Sequence, residues 1–260
     1  MTGGALLSVR DVSLRFGGVA ALDSVSFDIV EGQIVGLIGP NGAGKTSLFN
    51  CISRLYQPTA GSILLEDKEL LRLRPHAVIR LGIARTFQNV ALFARMSVLD
   101  NVLVGDHYRI KSGVLASAVR WPTTRAAERE AVDRALTALD VVDMRSFAGT
   151  LAASLSFAAQ KRVELARALV SQPRLLMLDE PAGGLNHSEV RELGELIKHV
   201  QAHYQLTVLL VEHHMNLVMT ISDHVVVLSF GRKIAEGPPS AVRNDRAVVE
   251  AYLGTASAAA

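Results

Sequence analysis

Gly39-Pro40-Asn41-Gly42-Ala43-Gly44-Lys45-Thr46 sets the reading of this chain. It fits the phosphate-cradling pattern G-x-x-x-x-G-K-[ST] at every fixed position. The apolar run Ile34–Ile38 leads into it, and a helical pattern follows with Leu48, Phe49, Ile52, Leu55 and Tyr56 on one face. Strand, glycine-rich loop and helix in that order are the context the motif needs. Gly39, Gly42 and Gly44 let the backbone turn tightly, so that successive N–H groups converge and the helix N-terminus adds partial positive charge. Pro40, Asn41 and Ala43 complete the loop. Lys45 supplies a mobile charge for the outer phosphates, the Thr46 hydroxyl is a Mg²⁺ ligand, and Ser47 is a further donor. The stretch reads as a nucleoside-triphosphate site.

Composition sets the bounds around it. The chain has 260 residues, 49% of them hydrophobic, enough for one large α/β domain with a subdomain. Its apolar runs, such as Leu206–Val211 and Val225–Leu228, are strand-length and far short of the ~18–20 residues of a membrane span. Met1 to Ala5 lacks the basic lead and long apolar run of a secretory leader. Cys51 is the only cysteine, so no internal disulfide forms and a reducing cytoplasm is expected. A formal charge of +2 does not argue for nucleic acid as partner.

Upstream of the loop, residues 6–31 alternate in the β manner about a turn at Gly17-Gly18. Phe16, just before that turn, has two readings: an exposed ring that stacks on a purine, or a core or hairpin phenylalanine. Downstream, Ser62–Leu65 reads as a return strand and residues 68–81 as a short helix. Ile83–Asn89 reads as a strand that ends in an amide, Gln88, which reaches a metal ion or a water or is an ordinary edge residue. From about 91 to 165 the periodicity is helical, with Ala127, Ala131, Val132, Ala135, Leu136 and Leu139 as one stripe. Ser156 is placed as the N-cap of a following helix, and doubles as a candidate phosphate contact.

Leu175–Leu178 followed by Asp179-Glu180 has the pattern of a buried parallel strand ending in two acids, and ligands bind beyond the carboxyl ends of such strands. Asp179 is the expected Mg²⁺ partner, and Glu180 is able to accept a proton from an attacking water. Asn186 with Glu189 predicts a capping box. Leu206–Val211 is a further buried strand ending in Glu212-His213-His214; His213 falls at the same sheet edge as Asp179, within reach of a γ-phosphate. The two histidines are expected to point opposite ways on the strand, which excludes a metal site there. Ile221–Phe230 with residues 231–236 reads as a strand and hairpin, and a last helix near Pro239–Leu253 precedes a frayed tail.

In this order, the phosphate loop, Gln88, Leu155–Ala159, Leu175–Glu180 and His213 resemble the ATPase subunit of an ATP-binding cassette transporter, over essentially residues 6–254. Arg-Thr-Phe-Gln-Asn at 85–89, Glu-Pro-Ala-Gly-Gly-Leu-Asn at 180–186, Val-Glu-His-His-Met at 211–215 and Val-Glu-Ala-Tyr-Leu-Gly at 249–254 are similar to the first ATPase of branched-chain (hydrophobic) amino-acid importers. The resemblance implies an α/β fold: a P-loop NTPase (RecA-like) core with an antiparallel β subdomain, residues 1–90 and 166–254, and an inserted α-helical subdomain, 91–165. Residues 255–260 are left as a flexible tail. It implies Phe16 stacking on adenine, Gln88 linking Mg²⁺ and the attacking water to membrane subunits, Glu180 as general base and His213 at the γ-phosphate. It also implies head-to-tail dimers in which one subunit's Ser156, Phe157, Ala158 and Ala159 face the ATP on the other's phosphate loop. Asn186 falls in the loop that crosses that interface. A second ATPase subunit, two transmembrane permeases and, indirectly, a solute-binding protein are the implied partners, at the cytoplasmic face of the membrane. Urea, amides and aromatic acids stand as alternative solutes; a non-transport cassette ATPase and a P-loop kinase are less fitting alternatives. The family signature is Leu-Ser-Gly-Gly-Gln, whereas this chain has Leu155-Ser156-Phe157-Ala158-Ala159, so the second glycine is lost as well.

Overall fold

Alternation and continuous burial separate the two kinds of strand. The computed structural model describes residues 4–86, 90–107 and 122–257, and the chain forms two units, 1–85 with 174–260, and 86–173. In the first unit, β1 (Ala5–Phe16) and β2 (Val19–Val30) make a long antiparallel pair, extended by β4 (Ala60–Leu65) and β5 (Lys68–Glu69) in the order β2-β1-β4-β5. One face is buried (Val9, Val12, Val25, Phe27, Ile63) and the intervening residues are polar, as a sheet with one wet face requires.

The second sheet is built from short runs buried on both faces. β3 (Ile34–Ile38), β6 (Ile83–Arg85), β7 (Leu175–Asp179), β8 (Thr207–Val211) and β9 (His224–Ser229) are parallel, and β10 (Arg232–Gly237) closes the edge antiparallel to β9. The strand order is β10-β9-β3-β8-β7-β6. One core cluster takes Leu37, Met177, Leu209 and Val226 from this sheet, Leu48, Phe49 and Ile52 from α1 (Lys45–Ile52), and the buried face of the first sheet. The alternate strand residues, Leu176, Leu178, Val208 and Leu210, are equally buried but lie outside that cluster, hence on the opposite face.

The second unit is helical. α2 (Val98–Val104), α3 (Pro122–Val141) and α4 (Phe157–Leu169) pack on one another. Ala131, Ala135, Ala138 and Leu139 form the buried stripe of α3, while Ala127 is exposed. Inside this unit, Arg134 donates to the fully buried Asp106 carboxylate at 2.6 Å.

Four expectations are corrected. Residues 68–81 form no helix: Lys68–Glu69 is strand, followed by three separate 3-10 turns. Leu73 and Arg74 are extended, the latter because Pro75 disfavours helical backbone before it. α1 stops at Ile52; Arg54 has a φ of +63°, which sends Leu55 and Tyr56 out to the surface. A helix not foreseen, α6 (Met215–Ile221), follows α5 (His187–Tyr204) and β8, so the strand that was expected to begin at Ile221 begins at His224. The final helix is two, α7 (Pro239–Arg243) and α8 (Arg246–Ser257), because Asp245 accepts the N–H groups of Ala247 and Val248 and starts a new one. α8 is described as far as Ser257, and the rest of the expected tail lies outside the described residues.

Candidate active site

The phosphate loop joins β3 to α1 through three glycines in the left-handed region, Gly39 (φ +152°), Gly42 (+79°) and Gly44 (+100°). A Cβ on Gly44 would lie 2.6 Å from the Ala21 carbonyl oxygen, so the loop is pressed directly onto β2. Gly231, in the turn between β9 and β10, donates to the Ala43 carbonyl at 3.0 Å and accepts from Asp23 N–H at 2.8 Å, so it links the loop to β2. Lys45 is buried, and its Nζ donates to the carbonyls of Gly39 (2.6 Å) and Pro40 (3.0 Å), curling over the loop it serves. Burial pushes the Lys45 ammonium below its usual range, with Glu180 pulling it back up. Thr46 is exposed and Ser47 half-buried on the first turn of α1, whose N–H groups lack partners within the helix. Tyr252 of α8 is half-buried, and its phenol is pushed up by burial while the Gly39 backbone opposes.

Asp179 and Glu180 lie at the carboxyl edge of the same sheet. Register places Leu37, Val211 and Asp179 in one row across β3, β8 and β7, so the backbones of Leu37 and Asp179 are two strand spacings or about 10 Å apart. Asp179 is 3% exposed, and burial raises its carboxyl above the usual range against the opposing pull of Arg85. Arg85, ending β6, donates to Asp179 Oδ2 at 2.8 Å, to Asn50 Oδ1 at 2.7 Å and to Ser53 Oγ at 2.9 Å, and lies over the Phe49 ring. It thereby ties the acid of β7 to α1. Glu180 leaves the strand with φ +47° while its N–H still donates to the Val211 carbonyl at 2.9 Å. His213 is half-exposed, with Nδ1 3.9 Å from Glu180 Oε2.

Burial of the Lys45 ammonium against two neutral carbonyls is costly, and phosphate oxygens in their place would be charged acceptors. The oxygen donors Thr46 and Asp179 fit Mg²⁺, a hard cation. Gln88, the third expected ligand, lies outside the described residues.

Phe16 ends β1 half-exposed, with its ring edge-on to Tyr56 at 5.3 Å. Phe16 is therefore not a core residue, and its place beside Val19 at the β1–β2 hairpin fits both the exposed ring and the hairpin phenylalanine. In the helical unit, Ser156 caps α4 by accepting the Ala159 N–H at 3.3 Å, Phe157 is exposed beside Lys161, and Ala158 is half-buried on the first turn. Asn186 and Glu189 make a complete capping box on α5.

Two residues escaped the sequence reading. Arg85 was seen only as part of a matching string, although an arginine ending a buried strand calls for an acidic partner. Glu212 was passed over for its neighbour, although it occupies the strand-end position that Asp179-Glu180 occupies on β7. The two histidines also correct an expectation: β8 ends at Val211, so they sit in a turn, with ring centroids 4.5 Å apart rather than on opposite faces.

The family model for the ABC transporter matches residues 22–183, which span the phosphate loop, the capped α4 and the acid pair. The chain belongs to the ABC transporter family. As an ABC ATPase it binds and hydrolyses ATP on a P-loop NTPase fold. A second model, branched-chain amino acid ATP-binding cassette transporter, matches residues 232–258. The ABC cassette is 46% identical over 251 residues to the high-affinity branched-chain amino acid transport ATP-binding protein LivG of Escherichia coli, covering 96% of this chain and 98% of that one. It is 44% identical, at the same coverage, to the corresponding protein BraF of Pseudomonas aeruginosa. Among solved structures it is similar to the ADP conformation of MJ1267, an ATP-binding cassette of an ABC transporter, with a TM-score of 0.84, 30% identity and coverage of 96% and 99%. Among the described residues of this ABC ATPase, no helix is long and apolar enough to cross a membrane.

Proposed function

We propose that this ABC ATPase powers the import of branched-chain, hydrophobic amino acids. The observation that carries the reading is near-half identity to LivG along 96% of the chain, joined to the separate match of residues 232–258 to a branched-chain transporter model. The chain would work at the cytoplasmic face of the membrane on two permease subunits, with a second, related ATPase and, indirectly, a solute-binding protein.

ATP would lie with its phosphates on Gly39–Ser47 and its adenine against Phe16. Lys45 would leave the Gly39 and Pro40 carbonyls for the outer phosphates. Thr46, Asp179 and Gln88 would hold Mg²⁺, which when bound offsets charge on the outer phosphates. The chain's own residues would do the rest. Glu180 takes the proton of the attacking water as its oxygen bonds to the γ-phosphorus; the bond to the bridging oxygen breaks, releasing ADP and phosphate. His213, with Nδ1 3.9 Å from Glu180, would hold the γ-phosphate in line. Ser156–Ala159 would face the partner's ATP.

The test is reconstitution of the complete transporter in proteoliposomes with wild-type chain or Glu180→Gln. Wild type should drive ATP-dependent uptake of labelled leucine. The variant keeps size and hydrogen bonding but not the base, so hydrolysis should fall by roughly 10²–10⁴ while ATP binding persists. A normal hydrolysis rate in the variant removes Glu180 from the role; uptake of urea or an aromatic acid in place of leucine overturns the solute.

A further inference from the structure

We propose that Glu212 is a positioning residue for hydrolysis, holding in one geometry the two turns that carry Glu180 and His213. Its carboxylate is fully buried at the end of β8. One oxygen accepts the Ala182 N–H at 2.7 Å; the other accepts the N–H groups of His213 at 3.0 Å and His214 at 3.2 Å. Ala182 belongs to the turn after β7, closed by the Gly183 N–H donating to the Glu180 carbonyl at 3.1 Å. One carboxylate therefore clamps the backbone on both sides of the reacting edge.

The burial of this polar group is compensated by these three backbone donors. The side chains confirm that the turns are aimed together: His213 Nδ1 is 3.9 Å from a carboxylate oxygen of Glu180 and 3.9 Å from one of Glu212. Glu212, His213 and His214 also lie close enough together to suggest a metal cage. Three backbone N–H groups already take most of the acceptor capacity of Glu212, as fits an anchor. An apolar residue would fill the space but take the acceptor from three backbone N–H groups, of which that of Ala182 is buried.

The inference rests on the roles proposed for Glu180 and His213. Glu212→Gln keeps the shape but presents an NH₂ group to N–H donors on one side, so one turn is released. Glu212→Asp keeps the charge on an arm too short to span both turns. In the full-length chain assembled with its transporter subunits, both variants should lower kcat by about tenfold to a hundredfold, the cost of displacing a reacting group by on the order of 1 Å. ATP affinity and KM should stay within about twofold, since nothing in the phosphate loop is touched. A merely structural defect would move both constants together. In a Glu180→Gln or His213→Ala background the same substitution should add little, because residues acting as a unit are non-additive. If either Glu212 variant folds and keeps the wild-type kcat while Glu180→Gln and His213→Ala lose it, the inference is overturned and the catalytic reading stands. If Glu180→Gln and His213→Ala themselves hydrolyse normally, the catalytic reading falls, and this inference with it.

Discussion

Lys45 shows at the scale of one residue why this site favours a phosphate. Burial disfavours its charge, and two carbonyls of its own loop are the partners it holds. Replacing them by phosphate oxygens exchanges neutral acceptors for charged ones, worth about 1.5–3 kcal/mol per contact. Lys45→Ala should therefore weaken ATP binding at least tenfold while the protein remains folded, measured by nucleotide titration with thermal unfolding as control. Near-wild-type affinity in a folded variant would contradict the phosphate-loop assignment. Lys45, Asp179 and Glu180 were legible in the sequence because each sits in a local pattern: a glycine-rich loop, or an acid closing an apolar run. Arg85 and Glu212 were not, because what defines them is distant in the chain. Arg85 meets Asp179 across 94 positions and Glu212 meets Ala182 across 30.

Among elements, the parallel strands were readable because burial on both faces leaves an uninterrupted apolar run with a polar end. The 3-10 turns at 70–81 and the short helix α6 were not, since each is too short for helical periodicity and is fixed by packing. Helix contacts in the second unit carry a testable consequence of the same kind. Gly105 ends α2 where a Cβ would lie 2.0 Å from the Arg167 carbonyl oxygen of α4 and 2.9 Å from a methyl of Val170. The near atom is backbone, so the helices must separate to admit a methyl group. Gly105→Ala should destabilise the helical unit by about 1–3 kcal/mol or more, the range for overpacking a close contact. Hydrogen exchange should speed up in α2 and α4, while ATP affinity of the phosphate loop is retained. Unchanged exchange in both helices would mean the contact is looser than described.

For the whole molecule, the telling feature is an intact phosphate loop in the same chain as an altered signature. Gly39–Ser47 and the acid pair keep every expected residue, whereas Leu155–Ala159 has lost both glycines of the signature. Ser156 still caps α4, so the helix N-terminus survives, but Ala158 carries a methyl group on the first turn, where the family resemblance has backbone approach the partner's γ-phosphate. Two copies of this chain would bear that defect at both ATP sites. Paired with a related second ATPase, the chain would bear it at one site only, while its own loop and Glu180 are completed by the partner's signature. We therefore expect a heterodimer in the assembled transporter. Ala158→Gly should raise the transporter's ATPase rate, and the gain should disappear when the partner's phosphate-loop lysine is removed, because that lysine serves the site Ala158 faces. A gain that persists without the partner's lysine would place the relieved contact elsewhere, and assembly from this chain alone would exclude the heterodimer.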